Sequence, residues 1–294
     1  MKFQLLSIFW GEPYFTWFIK GCLKSLAFPK NQQCINKNCS TWNIFADNNQ
    51  IEQLKEVTRI TFPHLTFNIQ STDMLRAFID QHQSAMCWQV EKCLEAKERL
   101  LFAPPDTIFA DGTIPSLLKL GREPRSCVAV AHPRVLPGLL GDMNILELQS
   151  PGALIKRIWN DGYLHQAWAD AEVGHPRQNS FIGGVFWEKL EPNIYAVTHY
   201  LPTIYFADFT GEDLMYFKTQ VSFGCYDHTW PADILIKQQR QRYVGSSDAG
   251  FICEVTHKEK NIPPVRPGSP DDFWRSHEHN KHNKQVKVIF RGDI

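Results

Sequence analysis

The chain of 294 residues carries 31 basic and 31 acidic side chains, with 43% hydrophobic and 21% charged residues. This composition excludes a disordered or collagen-like chain, and zero net charge excludes a global field that would draw it to nucleic acid or an anionic membrane. No apolar run reaches the roughly 18 residues needed to cross a bilayer.

The opening Met1–Trp10 stretch, followed at once by Gly11, Glu12 and Pro13, has no signal-peptide core, so a cytoplasmic location without membrane insertion is expected. Phe3 to Trp10 reads as a strand buried on both faces. Phe15, Phe18, Ile19, Cys22, Leu23 and Leu26 recur at helical spacing and stop before Pro29. Eight cysteines are scattered without a C-x-x-C unit, which suits buried thiols in a reducing compartment; Cys34 and Cys39 flank an Asn-rich segment read as an exposed loop.

Trp42 to Ala46 is a second strand, and Asp47-Asn48-Asn49 starts a helix through Ile51, Leu54 and Val57. Leu65 to Ile69 is a third strand, before a long helix carrying Leu75 to Leu94. Leu100 to Ala103 is a fourth, broken by Pro104-Pro105 with Asp106 just beyond. Thr107 to Ala110 is apolar, Asp111-Gly112-Thr113 opens a helix that Gly121 stops, and Cys127 to Ala131 leads into His132-Pro133-Arg134.

Strands alternating with helices predict an α/β chain with a mostly parallel, doubly wound sheet, whose ligands bind beyond the carboxyl ends of the strands. That rule selects Trp10, Gly11, Glu12, Asp47, Asp106 and His132 as rim positions, and Arg134, just after His132-Pro133, is a further ligand-binding candidate because its guanidinium can pair with a phosphate. After about Pro137 the pattern is less regular. Leu154 to Trp168 and Trp230 to Arg240 read as helices, while Phe181 to Trp187, Ile194 to Phe206 and Val286 to Phe290 read as strands, giving an α+β C-terminal region.

Cys22-Leu23-Lys24-Ser25-Leu26, Phe45-Ala46-Asp47 and Leu101-Phe102-Ala103-Pro104-Pro105-Asp106 resemble the nucleotide-sugar half of GT-A glycosyltransferases. More narrowly, Ala110-Asp111-Gly112, His199-Tyr200-Leu201-Pro202 and Asp227-His228-Thr229-Trp230-Pro231 resemble segments of bacterial and phage glycosyltransferase-like proteins. The resemblance implies a GT-A-like fold, with residues 1–135 binding a nucleotide-sugar, a UDP-sugar first among them, and residues 136–294 forming an acceptor region. It implies a divalent cation, Mn²⁺ or Mg²⁺, on Asp106, with Pro104 standing where the family has its first aspartate. His199 and His228 are the expected further ligands. Asp227 beside His228 is the expected catalytic pair, since a carboxylate next to an imidazole can orient it. The acceptor stays open between a glycan, a small molecule and a DNA base. A sugar nucleotidyltransferase and a non-catalytic scaffold are the alternatives.

Overall fold

The computed structural model describes residues 1–75, 81–142, 149–164, 185–199, 203–219, 230–256 and 287–293. The chain forms two compact units and passes between them more than once. The first comprises Met1–Thr107, Ile114–Ala129 and Ile204–Arg242; the second comprises Ile108–Thr113, Val130–Thr203 and Tyr243–Ile294.

The first unit begins with β1 (Phe3–Ile8), followed by a helical run from α1 (Glu12–Trp17) through a π turn at Phe18–Cys22 to α2 (Leu23–Leu26). Then come α3 (Pro29–Asn38), β2 (Cys39–Ala46), α4 (Ile51–Thr61), β3 (Phe67–Ser71), α5 (Gln81–Ala96) and β4 (Arg99–Phe102). β1 pairs in parallel with β2 and with β4, and β2 with β3. Later segments complete a seven-stranded sheet in the order β11-β6-β10-β4-β1-β2-β3. Here β5 is Thr107–Phe109, α6 is Thr113–Leu120, β6 is Cys127–Val130, β10 is Thr203–Ala207 and β11 is Gln241–Tyr243. β10 runs antiparallel to β4. The fold class expected from the sequence is therefore present: an α/β fold around a mostly parallel sheet.

Each face of this sheet is covered for a legible reason. On one, Trp42 of β2 meets Phe18 and Phe62 edge to face, at centroid distances of 5.8 and 5.9 Å, which seats the early helices. Its indole N–H donates to Ser7 Oγ at 3.0 Å, and Ser7 donates to the Ala103 carbonyl at 2.6 Å. On the other face, α5 arrives with an amide network. Asn43 donates to Gln89 Oε1 (2.8 Å), Gln89 to Gln4 Oε1 (2.7 Å), and Asn68 to Asn43 Oδ1 (3.1 Å). Mutual satisfaction lets these polar groups lie inside the layer without the penalty of an unpaired amide.

Two segments differ from the sequence reading. The Asn-rich stretch is a helix: Pro29 sits in its first turn, Ile35 is the apolar residue it buries, and Cys34 lies within it half-buried. Cys39 is buried at the start of β2. A polar helix with one buried apolar residue leaves no periodic signal. Trp230 to Arg240 is a π-helical segment, Pro231–Ile236, that ends in turns before Arg240.

The second unit holds two three-stranded sheets, β5-β12-β7 and β13-β9-β8. In chain order these use β7 (Arg134–Val135), β8 (Val185–Glu191), β9 (Ile194–His199), β12 (Ile252–Val255) and β13 (Lys287–Arg291), alongside the helices α7 (Gly138–Asp142) and α8 (Pro151–Asn160). The remaining helix, α9 (Gly211–Thr219), belongs to the first unit. α8 is capped by Ser150, whose Oγ accepts from Ala153 N–H at 3.0 Å, and Trp159 stacks on Tyr195 at 4.9 Å. The reading of a helix to Trp168 holds as far as Asn160; residues 165–168 lie outside the described residues.

Candidate ligand edge of the first unit

In the order β3-β2-β1-β4 the chain builds outward from β1 in one direction and then crosses to its other side, so the crevice between the carboxyl ends of β1 and β4 is the topological switch point. The residues that leave β1 there are Phe9, Trp10 and Gly11; those that leave β4 are Ala103 to Asp106. Trp10 is 39% exposed. Gly11 has φ +83°, a backbone state that glycine adopts without a Cβ clash.

Asp47, at the end of β2, reaches this turn. Its Oδ2 accepts the Gly11 N–H at 2.8 Å, and its Oδ1 accepts Thr72 Oγ1 at 3.4 Å from the turn after β3. Beside it, Asn48 donates to Asp73 Oδ2 at 2.7 Å. One carboxylate thus links the exits of three neighbouring parallel strands. An ionised carboxylate has about four acceptor positions, so two remain for a ligand hydroxyl. Glu12 points its Oε1 to Thr16 Oγ1 at 2.9 Å within its own helical run. Asp106 is half-buried, and its charge adds to burial in pushing the Cys22 thiol well up.

The other candidates fall elsewhere. Arg134 is not a surface arginine: it is 8% exposed on β7, in register with Glu254 of β12, and its Nη2 lies 3.0 Å from Glu254 Oε1. The other oxygen of Glu254 is 3.0 Å from His132 Nε2. His132, Arg134 and Glu254 form one cluster in the second unit. A lone glutamate inside Ile252-Cys253-Glu254-Val255 was the sequence signal for it. Asp111 uses its backbone N–H on the Gln149 carbonyl, as a helix-start residue does. His199 ends β9. Asp227 and His228 lie outside the described residues.

Arg240 is committed to the interior. Its Nη1 and Nη2 hold both oxygens of the fully buried Asp213 at 2.9 and 2.8 Å, and its Nε donates to the Arg125 carbonyl at 2.7 Å. Asp213 also accepts the Trp230 indole N–H at 2.8 Å and the Thr210 N–H at 2.7 Å. Thr210-x-x-Asp213 is a capping box at the start of α9 and was readable as such.

Among the described residues no group of three or more His, Cys, Asp or Glu could hold a metal ion. His228, one of the expected further ligands, lies outside the described residues. Among them, too, no helix is long and apolar enough to cross a membrane.

No family model matches the chain, and no curated protein does. Solved structures resemble it at low identity. Mouse xyloside xylosyltransferase 1 aligns over 45% of this chain and 53% of its own, about half its length, with 13% identity and a TM-score of 0.31. A putative glucose-1-phosphate thymidylyltransferase from Bacillus anthracis aligns over 86% and 89%, with 11% identity and a TM-score of 0.42. A UDP-glucose pyrophosphorylase complexed with UDP-glucose aligns over 96% and 97%, with 10% identity and a TM-score of 0.33. The first two bear transferase names and the third a pyrophosphorylase name. The fold assignment rests on the strand order itself rather than on these likenesses, and fold alone does not fix chemistry.

Proposed function

We propose that the chain is a glycosyltransferase that binds a nucleotide-sugar, with a UDP-sugar as the leading donor, and moves the sugar to a hydroxyl acceptor. The observation that carries this reading is the bond of Asp47 to the Gly11 N–H at 2.8 Å at the carboxyl ends of β1 and β2, on the same edge of the parallel sheet from which β4 leads on to Asp106. In this reading Trp10 and Gly11 frame the nucleobase, and the open lone pairs of Asp47 accept a ribose hydroxyl. Asp106 orients the donor's sugar. Asp227 with His228 takes the acceptor's proton. The acceptor oxygen forms its bond to the anomeric carbon as the bond to the diphosphate oxygen breaks, so the electron pair leaves with the nucleoside diphosphate. A glycan, a small molecule or a DNA base would supply the hydroxyl through residues of the C-terminal half.

The turn after β1 favours this reading over nucleotidyl transfer. A nucleotidyltransferase would be expected to carry a glycine-rich loop with a basic residue there, and this chain has one glycine followed by Glu12 and Pro13. The test is a thermal-shift series with nucleoside diphosphates and their sugars, with and without Mn²⁺, on the wild type and Asp106→Ala. A rise of several degrees with one nucleotide-sugar, reduced in the variant, supports the reading; no response to any nucleotide overturns it. Release of nucleoside diphosphate, rather than formation of pyrophosphate, separates sugar transfer from nucleotidyl transfer.

A further inference from the structure

The opposite edge of the first unit's sheet carries a cavity of about 610 Å³, within the size range of small-molecule sites. It opens where β10 ends and where β6 and β11 begin. The end of β10 pairs with the start of β4, since Ala207 stands opposite Leu100, so this edge lies a strand length, on the order of 15 Å, from the turns that hold Gly11 and Asp106.

Two residues on its wall share an unusual combination. Arg125 has φ +60° and Gln239 has φ +56°, two of only four non-glycine residues at positive φ among those described. Backbone needs explain the conformation in both cases. Arg125 N–H donates to Asp208 Oδ2 at 2.7 Å and its carbonyl accepts Arg240 Nε; the Gln239 carbonyl accepts Arg242 Nη1 at 3.0 Å. Glycine would make the same bonds without the steric cost of a Cβ, roughly 1 kcal/mol at each position. Yet the chain places a long polar side chain at each, both exposed and both making no hydrogen bond or ion pair among the described residues. The neighbouring guanidinium groups are already engaged, Arg240 by Asp213 and Arg242 by Glu123. Arg125 is therefore the cation of the wall left for a partner from outside. Glu212 lines the same space, with one carboxylate oxygen accepting Gln238 Nε2 at 2.8 Å, while the Thr210 hydroxyl donates to Asp213 at 2.9 Å.

We propose that this cavity binds a small phosphate monoester that carries hydroxyl groups, separately from any ligand at the carboxyl edge. Arg125 meets the phosphate with its forked donors, Gln239 adds an amide donor, and the second carboxylate oxygen of Glu212 accepts a hydroxyl. This inference does not depend on the sugar-transfer reading.

The test is calorimetric titration with glycerol 3-phosphate, with glycerol as the uncharged control, on the wild type, Arg125→Gly, Gln239→Gly and Asp47→Asn. Arg125→Gly keeps the backbone conformation, so its melting temperature is expected to equal or exceed that of the wild type. The proposal expects saturable wild-type binding of the ester but not of glycerol, about tenfold or more weaker in Arg125→Gly, weaker in Gln239→Gly and unchanged in Asp47→Asn. No saturable binding up to about 10 mM, or equal affinity in Arg125→Gly, overturns it.

Discussion

The Asp47 carboxylate accepts the backbone N–H of Gly11 at 2.8 Å, across the exits of two parallel strands that are 36 residues apart in sequence. Gly11 sits at φ +83°, and the bond holds that turn in place. Asp47→Ala should cost about 1.5–3 kcal/mol, the usual worth of a hydrogen bond to a charged group, and weaken nucleotide binding beyond that of Asp47→Asn, which keeps an acceptor oxygen. Urea midpoints and nucleotide titrations on the two variants check this; equal behaviour of both would remove Asp47 from the turn.

Asp213 and Arg240 form an ion pair whose side chains are 0% and 7% exposed. Removing one member strands a buried charge, so Asp213→Ala or Arg240→Met should each cost about 3–5 kcal/mol. Replacing both by apolar residues should recover much of that loss. A double-mutant cycle in urea measures it, and additive costs would contradict the pairing.

Gly121 ends α6 without a positive φ, so its glycine is required by packing. A Cβ there would lie 2.4 Å from Cδ1 of the fully buried Phe206. Gly121→Ala should destabilise by about 1–3 kcal/mol through overpacking. Gly121→Ala combined with Phe206→Leu should be less harmful than the sum of the single changes, as read by thermal midpoints.

The thiols of Cys39, Cys93 and Cys127 are pushed up to about 12 by burial, from an ordinary 9.0, and Cys22 and Cys253 are raised by the same cause. For these acids the folded chain keeps its protons at a pH where the unfolded chain has released them. Their contribution to stability is complete below pH 9 and is lost as pH rises from 9 toward 12, by up to about 1.4 kcal/mol per thiol for each pH unit. Urea midpoints at pH 6.5, 7.5 and 10.5 should therefore hold between the first two and fall at the third. A flat profile to pH 10.5 would mean that the thiols are not buried.

The sequence by itself determined the alternation of β1 to β4 with helices, the positive-φ turn at Gly11 and the positions of Asp47 and Asp106 just past strand ends. These rest on short-range periodicity and on the conformational freedom of glycine, which act within a few residues. It did not reveal α3, because a helix with one buried apolar residue, Ile35, has no stripe to read. Only the tertiary structure decided that residues 204–242 return to the first unit's sheet, that Arg134 is held by Glu254, and that Arg240 serves Asp213 rather than a ligand. Each of those pairings joins residues 27 to 120 positions apart. Their partners are chosen by strand order and by the need to satisfy every buried charge, and no local pattern encodes either.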